Sequence, residues 1–478
     1  MPVYDSSMSP DALTPTNGSL WDDTLDPSLR CPTSRMDGAV SCDVAIIGAG
    51  LTGLWSAYYL AERLPTLSIC VIEASDVGFG ASGRNGGWAS ALLPMSLEKM
   101  SRRHGRDAAI AMQRAMFATL DEIERVTLAE GIDAQMARGG SITAARSAPQ
   151  LDRIRHEIAV HRRFGFDDDD LRLLDAGEAR EICAMTSLRG AIYTPHCAAI
   201  HPAALTHGIA RAVLRKGVRI LAPVRATSIS PGRVETDRGT LMAHHVVRAT
   251  EAYTSQLSGQ RRSMIPLYSM MVATEPLPDS TWEDIGLTNR PTFDDARHLI
   301  IYGQRTADGR FAFGGRGAPY HFRSRIDAGF DTDRRVRDLI IEALIDLFPV
   351  LREAEFTHHW GGPLGAPRDW TCSVDLDRRT GITTAGGYVG DGVSTTNLAG
   401  RTVAALIAGE LDGGRHPDDE LLRLPWVGHR SRRWEPEPVR WAGINAGRRA
   451  AAIADRAEDR TGRPSRFWGG FVDGLIGR

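Results

Sequence analysis

Three glycines and one acid carry the first chemical signal in the chain. Gly48, Gly50 and Gly53 fit G-x-G-x-x-G, and Glu73 stands twenty positions beyond the last of them. In such a turn the first glycine lets the backbone reverse, the second lets it approach a pyrophosphate, and the third lets a helix pack close on a strand. Backbone N–H groups around Leu51 and Thr52, at the helix start, then face the phosphates, while the carboxylate of Glu73, followed by Ala74, suits ribose hydroxyls. The spacing predicts a dinucleotide site. It does not by itself choose between NAD and FAD.

The elements around these residues have the required periodicity. Residues 44–47 (VAII) are a short apolar run of the kind buried on both faces of a parallel sheet. From 51 to 63 the apolar residues recur at helical spacing, and 68–72 (SICVI) is a second apolar strand that ends at Glu73. Further along, residues 96–135 and 146–182 read as charged helices separated by "ARGGSITAA". A helix over 202–216 leads to a strand over 218–224, and 244–254 (HHVVRATEAYT) is a strand ending in a small-residue turn. Residues 263–322 suggest antiparallel strands, "RRVRDLIIEALIDLFPVL" an amphipathic helix, and "GITTAGGYVGDGVSTTNLAGRTVAALIAGEL" a strand, glycine turn and helix.

The chain is thus expected to be α/β. A Rossmann-type nucleotide-binding domain (40–110, 205–262, 355–412) is interleaved with an antiparallel-sheet substrate domain (111–204, 263–354). An irregular arm over 1–39 and a helical extension over 413–478, covering the core or a homodimer surface, complete it.

Composition sets the outer limits. The chain has 478 residues, 42% hydrophobic and 24% charged, with a net charge of −2, which gives no general attraction to nucleic acid or to anionic membrane. Six cysteines form no C-x-x-C pair, so neither a zinc site nor a disulfide framework is expected. No basic segment followed by an apolar core opens the chain, and the apolar run over 44–60 is broken by its glycines. We expect a cytoplasmic protein with reduced thiols, no membrane span and no metal.

Four segments in this order resemble the FAD-dependent glycine oxidase and D-amino acid oxidase family, in particular the branch that includes γ-glutamylputrescine oxidase. They are the glycine turn with Glu73, "GFGASGRNGGW" (78–88), "VVRATEAYTSQL" (246–257), and "WGGPLGAPRDW" followed by "GGYVGDGV" (360–393). The resemblance spans about residues 40–412 and implies a glutathione-reductase-like architecture with bound FAD. Around Ala81, Ser82, Arg84, Asn85, Gly86 and Gly87, backbone amides and polar side chains can donate to phosphate or flavin oxygens. The resemblance implies backbone contacts from Val224 to the adenine. Gly390, Asp391, Gly392, Val393 and Ser394 open a helix whose positive end can stabilise charge on the reduced flavin.

The resemblance also bears on attachment and substrate. In sarcosine-oxidase-like members a cysteine holds the flavin covalently, and that position falls here at Gly362, so dissociable FAD is expected. Cations that clamp a substrate carboxylate in related enzymes fall at Leu364, near Trp88 and at Ser394; Arg84 or Arg368 could replace them. The expected reaction passes hydride from an amine α-carbon to the flavin, leaves an imine for hydrolysis, and ends with O2 or another acceptor. Tyr268, Trp360 and Asp391 are the candidate catalytic residues, with Trp88 and Met270 lining the cavity. His358 and His359 are expected to pack rather than bind metal. An FAD-dependent hydroxylase and a non-catalytic flavoprotein are the competing readings.

Overall fold

A computed structural model describes residues 18–315, 317–411 and 419–465. Two eight-stranded sheets dominate it. In the first, Val40–Ile47 lies between Ile69–Ile72 on one side and Gly239–Arg248 on the other, all parallel. Arg219–Leu221 extends the sheet beyond Ile69–Ile72, and Ile382–Gly386 extends it beyond Gly239–Arg248. The chain therefore fills one side of Val40–Ile47 and then crosses to the other. This makes the carboxyl end of that strand the topological switch point, where an open α/β sheet leaves a crevice for a ligand.

Side chains alternate across this sheet as strand geometry demands. Val44 and Ile46 point into a core shared with the helices Leu51–Arg63, Arg106–Ala129, Pro202–Arg215 and Gly392–Leu411; Ala45 and Ile47 join Cys70, Ile72, Val234 and Leu241 on the other face. Helix Arg106–Ala129 contributes Met112, Met116, Leu120 and Ile123 to the first core. Most of it was expected in the substrate domain, but its apolar stripe faces the nucleotide-type sheet.

The second sheet runs in the order Phe356–Ala366, Ile265–Thr274, Phe311–Gly315, Ile301–Arg305, Thr292–Asp295, Ser141–Ala145, Gly190–Thr194, Arg172–Leu174. All its pairs are antiparallel except Thr292–Asp295 with Ser141–Ala145. Helix Arg334–Leu347 covers it with Val336, Ile340, Leu344 and Leu347, one helical stripe on a core that includes Phe293, Phe311 and Phe313. Strand Phe356–Ala366 corrects a domain boundary. It was expected with the nucleotide domain, yet it pairs with Ile265–Thr274 from Ile265↔Ala366 to Thr274↔Phe356.

The N-terminal arm is also corrected in part. Residues 1–17 lie outside the described residues, but Leu20–Asp23 is a helix capped by Ser19, and Leu20, Trp21 and Leu25 are buried against Ala203, Ala204 and Trp360. Three apolar side chains within six residues are enough to dock a segment that otherwise reads as polar. The strand expected over 218–224 is shorter, since the ladder ends at Leu221 before Pro223. Of the C-terminal extension, Asp419–Leu422 and Val439–Thr461 are helical, and residues 412–418 and 466–478 lie outside the described residues. Among the described residues, no helix is long and apolar enough to cross a membrane.

Candidate functional site

The glycine turn has the geometry its sequence requires. Gly48 has φ +110, and a Cβ there would lie 2.7 Å from the Ala249 carbonyl oxygen at the end of the neighbouring strand. A Cβ at Gly53 would lie 2.0 Å from the carbonyl oxygen of Gly48. Gly50 caps helix Leu51–Arg63 in an extended conformation. The Leu51 N–H donates to Ser82 Oγ at 2.8 Å, and Thr52 Oγ1 to the Tyr388 hydroxyl at 3.2 Å, which draws two distant segments onto the helix start.

Glu73 stands at the end of the second strand. Its Oε2 accepts from the Ala49 N–H at 2.9 Å and its Oε1 from the Ser75 N–H, across Ala74, at 3.0 Å. Burial raises its pKa against those bonds. The Glu73 carbonyl accepts from the Val224 N–H at 2.6 Å, which brings Val224 to the acid.

The turn after the second strand differs from expectation. Asn85 was expected to donate to a ligand, but its Nδ2 donates to the carbonyls of Ala81 and Ser82 and its Oδ1 accepts from the Gly87 N–H at 2.7 Å. It clamps its own loop. Arg84 is likewise engaged by protein: Nη1 donates to Asp331 Oδ2 at 2.7 Å and to the Gly361 carbonyl at 3.0 Å. Gln304 Nε2 donates to the carbonyls of Gly86 and Gly87, and a Cβ at Gly87 would fall 1.9 Å from that nitrogen.

Glu251, which the sequence reading passed over, ties the remaining glycine turns together. Its Oε2 accepts from the Gly365 N–H at 2.6 Å, and its Oε1 from the N–H groups of Gly387 at 2.8 Å and Tyr388 at 3.1 Å. Burial, opposed by these bonds, lifts its carboxyl to about 7. The visible signal was a lone acid inside a turn of small residues, "RATEAYT". Past Tyr388 the chain turns through Gly390 at φ +108 and enters helix Gly392–Leu411. Asp391 supplies main-chain groups there: its N–H donates to the Tyr388 carbonyl at 3.0 Å, and its carbonyl accepts from Thr395 Oγ1. Val393 and Ser394, the second and third residues of the helix, are buried.

The candidate catalytic residues separate. Tyr268 is buried, its ring edge-on to His321 at 5.4 Å and Phe330 at 6.0 Å, and its hydroxyl accepts from the Asp327 N–H at 3.3 Å. Trp360 is displaced from the role expected for it. It is 1% exposed, meets Trp21 edge-on at 6.4 Å, and donates Nε1 to the Arg84 carbonyl at 2.9 Å. It braces the 81–87 turn from behind. Met270 is fully buried in the second core, whereas Trp88 is half-buried and edge-on to Tyr302, whose hydroxyl bonds Ser269 Oγ at 2.7 Å. Arg368 pairs with Glu435 at 3.0 Å and lies over Trp434, both in the C-terminal extension. His358 pairs with Asp23 at 3.3 Å. Among the described residues no cluster suited to a metal is present.

The residues present fit FAD. Ser394 Oγ, Arg84 Nε and Trp88 Nε1 are buried without a protein partner. Buried polar atoms of this kind are costly unless a further group completes them. They lie on segments tied together around the glycine turn: Ser82 bonds Leu51, Tyr388 bonds Thr52, and Gly361 accepts from Arg84.

A parallel sheet with a G-x-G-x-x-G turn and a terminal acid at its switch point, joined to a largely antiparallel second sheet, defines a dinucleotide-dependent oxidoreductase fold. The family model described as FAD dependent oxidoreductase (DAO) matches residues 43–406. The chain belongs to that family and is an FAD-dependent oxidoreductase.

It is 30% identical over 394 residues to the gamma-glutamylputrescine oxidoreductase of Escherichia coli, covering 80% of this chain and 87% of that one. It is 28% identical to the probable oxidoreductase OrdL of Haemophilus influenzae, over 80% of this chain and 86% of that one. Among solved structures, the glycine oxidase of Geobacillus kaustophilus matches with a TM-score of 0.63 at 23% identity, over 82% of this chain and 99% of that one. This last likeness concerns the fold.

Proposed function

We propose that this enzyme oxidises a C–N bond of an extended or secondary amine that lacks the carboxylate of a free amino acid next to the reacting carbon. The observation that carries this is the fate of the two arginines that could hold such a carboxylate. Arg84 is paired with Asp331, and Arg368 with Glu435. The other expected clamp positions are Leu364, Trp88 and Ser394, and a buried carboxylate without a cation is costly. The similarity to a protein named for a glutamyl-polyamine substrate supports the same class.

Bound FAD supplies the two-electron acceptor for hydride from the carbon beside the nitrogen, leaving an imine for water to hydrolyse and reduced cofactor for O2 or another acceptor. The chain's own residues hold and orient. Leu51, Thr52, Gly53 and Ser82 would hold the phosphates, Glu73 the ribose and Val224 the adenine. The start of helix Gly392–Leu411 presents its positive end to developing negative charge. Trp88, Tyr302 and Tyr268 exclude water from the substrate side. FAD is held without a covalent bond: a side chain built at Gly362 would put its Cβ 3.2 Å from Arg84 Nε, which crowds a cysteine there. All six cysteines are buried and unpaired, which supports a cytoplasmic enzyme, and we take it to work as a homodimer.

Anaerobic mixing of the yellow protein with a panel of amines, without NAD(P)H, tests the reading. Loss of flavin absorbance is expected with extended and secondary amines faster than with glycine, sarcosine or D-alanine. The reverse order, or no reduction by any amine, would overturn it.

A further inference from the structure

The structure assigns a partner to the nitrogen of the substrate: Asp294, on the cofactor-facing side of the second sheet, binds the protonated amine and takes its proton before oxidation. This inference rests on the amine-oxidation reading and the cofactor placement above, and it names the residue that serves the reacting nitrogen.

Strand alternation fixes where Asp294 points. Phe293, Ile301, Ile142 and Ala144 enter the core under helix Arg334–Leu347. Their neighbours Asp294, Tyr302 and Thr143 therefore face the other way, as does Gln304. Asp294 pairs with Thr143 in the ladder, and the antiparallel pair Phe293↔Gly303 sets it beside Tyr302. This face meets the cofactor-side turn. Gln304 Nε2 donates to the carbonyls of Gly86 and Gly87, and the Tyr302 ring lies edge-on to Trp88 at 6.2 Å. A Cβ at Gly86 would fall 2.6 Å from that tyrosine ring. Two positions before Asp294, Thr292 Oγ1 lies 3.2 Å from Cys197 Sγ, and Cys197 pairs with Ser90 in the strand that follows the turn.

Two buried oxygens on this face have no protein donor. One is Asp294 Oδ1, and the other is Gln304 Oε1, on a side chain that is 0% exposed. The carbonyls of Gly86, Gly87 and Ile200 surround Gln304 Nε2, which fixes the orientation of that amide and leaves Oε1 as an acceptor. Buried acceptors of this kind call for a donor, and an amine nitrogen is one.

Charge makes the same selection. Among the described residues Asp294 forms no ion pair, and the leading charges that act on it are those of Asp295, Glu157 and Asp391, all carboxylates. Asp295 is matched by Arg297 at 2.6 Å. Glu157 comes from the exposed side of helix Ala148–Phe164, and Asp391 from the entry to helix Gly392–Leu411. Burial, against a hydrogen bond from Thr143 and with help from these carboxylates, raises the Asp294 carboxyl to about 8. The Cys197 thiol nearby is pushed up to about 12 by burial and stays neutral. An acid so placed is matched to an alkylammonium, which titrates near about 10. In the transfer the ammonium N–H bond breaks, the Asp294 O–H bond forms, and the electron pair stays on nitrogen. That pair then supports loss of hydride from the adjacent carbon to bound FAD.

The test uses tert-amylamine, whose nitrogen-bearing carbon has no hydrogen to give, and tert-amyl alcohol, its neutral counterpart. Calorimetric titration of the FAD-loaded protein, in buffers of different ionisation enthalpy, is expected to show the amine bound in preference to the alcohol. About one proton should be released at pH 7 and few at pH 9. In Asp294→Asn, which keeps the shape of the side chain, amine binding should weaken at least about tenfold, and the difference between the two pH values should vanish. Anaerobic flavin reduction by an oxidisable amine adds a second readout. In the parent its second-order rate constant should climb about tenfold per pH unit to about pH 8 and then level off, whereas in the variant it should climb on towards about pH 10. Equal affinity of the parent for amine and alcohol, proton release that does not change with pH, or a variant with the parent's pH profile would overturn the inference. Should no amine reduce the flavin, the amine reading fails, and the titration still decides the cation site: amine binding with pH-dependent proton release supports it, and no binding to the parent refutes it.

Discussion

Replacing Glu251 by glutamine tests the geometry of the cofactor side most directly. One carboxylate oxygen serves Gly387 and Tyr388 and the other serves Gly365, at 2.6 to 3.1 Å. A glutamine can keep its carbonyl on the first pair, but its NH2 then meets the Gly365 N–H, donor against donor. Leaving that buried N–H without an acceptor costs about 1–3 kcal/mol. The pH dependence follows from the raised carboxyl, at about 7 against the usual 4.5. Because the folded value lies above the unfolded one, the contribution of Glu251 is complete below about pH 4.5 and is lost as pH rises through about 7. At about 1.4 kcal/mol per pH unit, the loss approaches about 3.5 kcal/mol across that window. The glutamine does not titrate. Urea unfolding of the FAD-loaded proteins should therefore show Glu251→Gln less stable by about 1–3 kcal/mol at pH 5, with the gap closing as pH rises to about 7. A gap that widens with pH would mean that the three N–H bonds keep the carboxylate ionised, and would refute the reasoning.

Three further outcomes are expected. Gly53→Ala should push helix Leu51–Arg63 off the glycine turn, since the added Cβ meets main chain at 2.0 Å; gel filtration should return protein with most of its flavin absorbance gone, and full retention would show the contact to be soft. Asp331→Ala strands the guanidinium of Arg84, whose side chain is 3% exposed; a loss of about 3–5 kcal/mol in denaturant unfolding is expected, and a neutral effect would show that Arg84 finds another partner. Acid precipitation should leave the flavin in the supernatant, and colour in the pellet would establish a covalent link.

Much of the cofactor side was legible in the chain because its determinants are local. The turn over Gly48–Gly53 and the acid at Glu73 sit within one strand–helix–strand unit, where spacing along the sequence translates into spacing in space. The second sheet was legible only as a class. Alternating apolar residues announce a strand but not its neighbours, so nothing in "FTHHWGGPLGA" declared that it pairs with Ile265–Thr274 rather than with the nucleotide sheet. Trp360 shows the same limit: an aromatic beside two glycines reads as a cavity wall until its ring is found against Trp21, which comes from a stretch that reads as a polar arm.

The sequence by itself determined the dinucleotide unit, the interleaved α/β class and the family, since each depends on residue type at short range. Tertiary structure alone decided which polar groups remain for a ligand. Arg84, Asn85 and Arg368 each look available in the chain, and each has a protein partner in the fold; for Arg84 and Arg368 these are Asp331 and Glu435, 247 and 67 positions away. Conversely, Glu251 acquires meaning only when distant segments converge on it. Hydrogen-bond and charge compensation are properties of distance in space, and a linear chain specifies that distance only through the whole of its packing.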